Sequence, residues 1–139
     1  LLPKEEKLNK IKRGMGSIGE LEKPMYEITF FDLLKNKLGL KYIRHSNKLN
    51  KKISKVSVVV GSGSFAIKDS IESNVDAFIT SDFKYHNFFE ADNKAILIDI
   101  GHYESEKHIK MFIKEFLNKK LPNFTVLLSE QNINPVNYY

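Results

Sequence analysis

Three short apolar runs, at 56–60, 77–80 and 95–98, each give way to a polar loop and then to a helical pattern, and this rhythm restricts the fold more than any other feature of the chain. The first, Val56-Ser57-Val58-Val59-Val60, is the β-branched kind of run that fills a buried strand. Helical patterns follow at 65–73, in a short piece at 85–91, and at 103–119. Upstream, the spacing predicts a helix over 27–38. Ile28, Phe31, Leu34 and Leu38 share one stripe, Phe30 and Leu33 widen it, and Gly39 stands where a helix ends. Short strands are expected at 41–45 and 124–128, and "GMGSIGEL", at 14–21, reads as a glycine-punctuated loop. Strands alternating with helices make this an α/β chain with a largely parallel sheet and crossover helices. At 139 residues it has room for one domain with a real core, 14–139, behind a charged segment at 1–13.

Composition narrows the function. An apolar share of 42% with 28% charged residues fits a folded domain rather than a disordered one. The absence of cysteine removes disulfides, thiolate metal sites and cysteine nucleophiles together, and suits a reducing, cytoplasmic setting. No apolar run approaches a membrane span, and charge follows Leu1 and Leu2 too soon for a signal peptide, so no membrane partner is expected. The chain starts without methionine, as a processed piece or the back part of a longer polypeptide would. Its net charge of +5 is concentrated in Lys41, Arg44, Lys48, Lys51, Lys52, Lys55 and Lys68, a stretch without an acid. Such a patch can draw phosphate or nucleic acid by counterion release. A lysine-blunted, solvated edge explains it more simply, because no nucleic-acid module is recognisable and the aromatics do not alternate with the lysines, so no specific nucleic-acid partner is expected.

In open α/β sheets ligands bind beyond the carboxyl ends of the strands. Three polar loops occupy such ends here: "GSGSF" after Val60, "TSDFKYH" after Ile79 and "DIGHYESE" at 99–106. His102 and Glu106 are four apart, a spacing that places both on one helix face and lets an imidazole nitrogen and a carboxylate oxygen reach one divalent ion. On spacing alone, acids favouring a helix N-terminus and a packed or capping His102 account for the motif slightly better. Asp82, Lys84, Tyr85 and His86 can orient a substrate or support metal ligands from behind. Alternatively, Asp82 caps the next helix while Tyr85 and His86 are half buried. The glycines of "GSGSF" can cradle a phosphate, but tight-turn geometry is the more common use.

The succession "GMGSIGEL", "VVVGSGSF", "ITSDFKYH", "LIDIGHYESE" resembles the carboxy-terminal half of the Nif-three-like dinuclear-metal family, the GTP cyclohydrolase I type 2 homologs, from about Gly14 onward. The closing "NPVNYY" resembles a branch with a nitrogen-regulator-like domain inserted between two halves, and 1–13 would be the trailing edge of that insert. The resemblance implies a toroidal homohexamer in which each subunit holds two divalent ions, zinc, iron or manganese, between two similar α/β lobes. Of the five usual ligand positions, two fall on His102 and Glu106. A tandem histidine pair and an aspartate would come from the amino-terminal half, so this stretch alone is expected to be metal-free. The family commonly has glycines where this chain has Val60 and Ser81. The implied activity is metal-dependent hydrolysis of a nucleotide-like or phosphorylated substrate, and the alternative is a metal-stabilised scaffold or regulator without turnover.

Overall fold

The computed structural model of the chain describes residues 14–131 and 133–137. The segment 1–13, expected to be the edge of an insert, and the closing tyrosines of "NPVNYY" lie outside them. The described chain forms two compact units that divide after Ser105.

The first unit is built on a five-stranded sheet with strand order β1-β3-β4-β5-β2. Its strands are β1 (Ser17–Tyr26), β2 (Arg44–His45), β3 (Lys52–Ser62), β4 (Ala77–Ser81) and β5 (Ile96–Asp99). The three central strands run parallel, and β1 and β2 flank them antiparallel. The α/β class expected from the alternation therefore holds, with parallel pairing confined to the centre.

Side-chain alternation divides the central strands between two cores. Ala77 and Ile79 of β4 and Ile96 and Ile98 of β5 join Phe30 and Phe31 on one face. Phe78 and Leu97, the residues between, join Val59, Ile67 and Phe83 on the other. All of these are buried, so β4 and β5 are covered on both faces, which is why they read as continuous apolar runs. The first face is covered by helix α1 (Glu27–Leu38), which ends at Gly39 in a left-handed conformation (φ 61°, ψ 47°). The second is covered by a 3₁₀ turn (Ser64–Ala66), helix α2 (Ile67–Glu72) and a longer 3₁₀ turn (Tyr85–Ala91).

Three expectations are corrected. The loop over 14–21 is strand β1 from Ser17 onward. It is an edge strand with mostly exposed side chains, so apolar alternation is missing, and Pro24 falls where the register shifts between Glu20 and Met25. The single helix over 103–119 is two, α3 (His102–Glu106) and α4 (Ile109–Lys120), separated by a turn at Lys107 and His108. The strand at 124–128 does not form; Phe124 and Leu127 are exposed, and an apolar run without a ladder partner has nothing to make it a strand.

Candidate functional site

Because β3, β4 and β5 are parallel neighbours, the segments leaving them share one rim of the sheet, and hydrogen bonds lock them together. The Gly61 carbonyl, after β3, accepts from Thr80 Oγ1 at 2.9 Å and from Ser81 Oγ at 2.7 Å. Its own N–H donates to Ser105 Oγ at 3.0 Å, and the Ser105 hydroxyl donates to the His102 carbonyl at 2.8 Å. "GSGSF" therefore serves as a tight structural turn. Gly61 has φ 71°, and a Cβ on Gly63 would lie 2.3 Å from Thr80 Oγ1 and 2.8 Å from Val59 Cβ.

At this rim Asp82 meets His102. The imidazole Nδ1 donates to Asp82 Oδ2 at 2.5 Å, with the two side chains 49% and 48% exposed for the histidine and the aspartate. A carboxylate only accepts, so the shared proton belongs on Nδ1, and in the neutral ring the lone pair is then on Nε2. Asp82 has a left-handed backbone (φ 61°) and does not cap the following turn. A hydrogen-bonded pair this exposed adds no more than about 1 kcal/mol to stability. Its consequence is orientation of the ring.

The other predicted residues have different surroundings. Lys84, Tyr85 and His86 are exposed on the turn beyond Asp82, so the half-buried alternative for Tyr85 and His86 does not hold. The Lys84 N–H donates to Asn87 Oδ1 at 2.9 Å, and the Tyr85 ring makes an edge contact with Phe89 at 5.3 Å. Glu106 closes α3. Among the described residues no three His, Asp or Glu side chains gather into a group that could hold a metal ion.

Sequence reasoning passed over Asp99, the first residue of "DIGHYESE". Its carboxylate is buried and accepts from the Gly101 N–H at 3.0 Å, the Phe83 N–H at 3.1 Å and Arg44 Nη1 at 3.2 Å. The available signal was an aspartate ending an apolar run two residues before a glycine, an arrangement that favours an Asx turn.

Comparison with known proteins agrees with this fold. The GTP cyclohydrolase 1 type 2 homolog of Clostridium perfringens is 34% identical over 78% of this chain and 42% of its own length. The homolog of the same description from Staphylococcus epidermidis strain RP62A is 34% identical over 95% of this chain and 37% of its own. The chain thus spans less than half the length of these curated relatives. The crystal structure of Staphylococcus aureus protein SA1388 superposes with a TM-score of 0.78 at 28% identity, covering 91% of this chain and 42% of that one. The Bacillus cereus protein related to NIF3 superposes with a TM-score of 0.76 at 26% identity, over 91% of this chain and 36% of that one. The family model for Duf34/NIF3 (NGG1p interacting factor 3) matches residues 2–135, and the chain belongs to that family.

Proposed function

We propose that this domain supplies part of a dinuclear metal centre in a longer, cytoplasmic, hexameric protein, and that the whole protein is a metal-dependent hydrolase acting on a nucleotide-like or phosphorylated substrate. The observation that carries the reading is the Asp82–His102 hydrogen bond at the strand-end rim. A ligating histidine characteristically donates its second ring nitrogen to a carboxylate, which fixes the tautomer and raises the basicity of the nitrogen facing the metal. Here Nε2 of His102 would face the metal, and Glu106, one helical turn on in α3, would provide a carboxylate oxygen. Imidazole and carboxylate donors suit zinc, iron or manganese, so the residues present fit such an ion. Two bound ions would supply Lewis-acid activation of a water and neutralise charge on the scissile group. In this arrangement Asp82 holds the ring, while Lys84, Tyr85 and His86 flank the rim where a substrate would approach.

Elemental analysis of the full-length protein tests the assignment without knowing the substrate. His102→Ala should remove bound metal, whereas His86→Ala should leave it in place. Equal metal in wild type and His102→Ala would return "DIGHYESE" to a capped helix start. Turnover that depends on added divalent metal would separate an enzyme from a metal-stabilised scaffold.

A further inference from the structure

Asp99 is 5% exposed, and its two carboxylate oxygens are shared by three separate segments. Oδ1 accepts from the Gly101 N–H, an Asx turn completed by Gly101 at φ 86°. Oδ2 accepts from the Phe83 N–H and from Arg44 Nη1. Arg44 Nη2 donates to the Phe83 carbonyl at 3.1 Å, so carboxylate and guanidinium hold the same residue by its N–H and its C=O. The Phe83 side chain is itself fixed in the core, 5.9 Å from the Phe78 ring and 5.3 Å from the Phe88 ring. Immediately before Phe83 stands Asp82, immediately after Gly101 stands His102, and these two bond each other.

We infer that Asp99 is a positioning residue for the candidate metal centre: one buried carboxylate sets both loops, and through them the direction in which Asp82 aims the His102 ring. The inference rests on the metal reading above and adds a residue to it. The chemistry requires a carboxylate. Asparagine has one acceptor oxygen and one amide that only donates, so it would turn N–H toward N–H either at Gly101 or at Phe83 and Arg44. The donor left facing it would be desolvated and unsatisfied.

The test titrates cobalt(II) into the full-length protein, following the visible absorption of the bound ion, with circular dichroism to report folding. Asp99→Asn should bind cobalt(II) about 10–100-fold more weakly, as loss of support behind a ligand does, and its absorption band should change shape. A role confined to stability would lower the unfolding midpoint and leave the affinity and band of the folded protein unchanged, which would overturn the inference. Where Asp99→Asn does not fold, Arg44→Gln decides, because Arg44 is largely exposed and its substitution removes one of the three donors to Asp99. Weaker binding with an altered band supports the inference, and wild-type binding overturns it. His102→Ala is the control: if it binds cobalt(II) as wild type does, the metal reading itself falls. If it loses the ion while Asp99→Asn binds normally, the positioning inference fails alone.

Discussion

Gly63 shows how tightly the rim is made. Thr80, whose hydroxyl would meet a new Cβ, is fully buried and already donates to the Gly61 carbonyl, so it cannot rotate aside without losing that bond. Gly63→Ala should therefore destabilise by about 1–3 kcal/mol, the usual cost of overpacking a filled interior. Gly19, in edge strand β1, has nothing within 4 Å of the same position, and Gly19→Ala should be neutral or slightly stabilising. Urea midpoints of the two variants check the contrast, and an unperturbed Gly63→Ala would contradict the packing. The two glycines look alike in the sequence. What separates them is a side chain seventeen residues away from Gly63 along the chain, brought near by strand pairing. The Asp82–His102 pair was hidden for the same reason. Composition and motif marked both residues as candidates, but only the parallel pairing of β4 with β5 puts them together. Lys84, Tyr85 and His86 stood in the same motif and received different surroundings.

Elements were legible where their stabilisation is local. Helix α1 carries its apolar stripe and its glycine terminator within its own residues, and its predicted and observed bounds coincide. The central strands were legible because burial on both faces writes an apolar run. Edge strand β1 was not, since its stability comes from the ladder to β3 rather than from its own pattern. Asp76 shows such a nonlocal tie. Placed just before β4, it accepts from the Ser54 and Lys55 N–H groups of β3, both at 2.9 Å, and pairs with Lys51 Nζ at 3.1 Å. Burial alone would raise its pKa, but the two backbone donors and Lys51 outweigh burial and hold the carboxyl below its ordinary value. A depressed folded pKa means that the unfolded chain takes up the proton first. The contribution is therefore present at neutral pH and is lost as pH falls from about 4 through the folded value. Asp76→Asn keeps an oxygen for the backbone donors but has no carboxyl to titrate. Its unfolding midpoint should be lower at neutral pH and should fall less steeply on acidification below about pH 4. Parallel acid slopes in the two proteins would show that Asp76 does not couple β3 to β4 through its charge.

For the molecule as a whole, the open question from the sequence was a resemblance that implies two metal ligands in this stretch and no third. Among the described residues no helix is long and apolar enough to cross a membrane, and several cations of the basic stretch have local partners: Lys51 with Asp76, Lys55 with the Ser73 carbonyl, Lys68 with Glu72. At the loop rim, Thr80, Ser81 and Asp99 make buried polar contacts. Yet hydrolytic zinc sites use at least three protein ligands, and on the proposed reading His102 with Glu106 would provide two. The relatives are more than twice as long as the match, so there is length elsewhere in a protein of that size for the remaining donors. The isolated 139-residue chain should accordingly bind zinc weakly, and calorimetry should show no stoichiometric binding at submicromolar zinc. On the proposed reading the full-length protein should retain metal through purification, and light scattering should find a hexamer for wild type, His102→Ala and His86→Ala alike. Tight stoichiometric zinc binding by the isolated chain would mean that its own side chains complete the coordination sphere. The search for further ligands would then move to His86, which is exposed on the turn next to the rim.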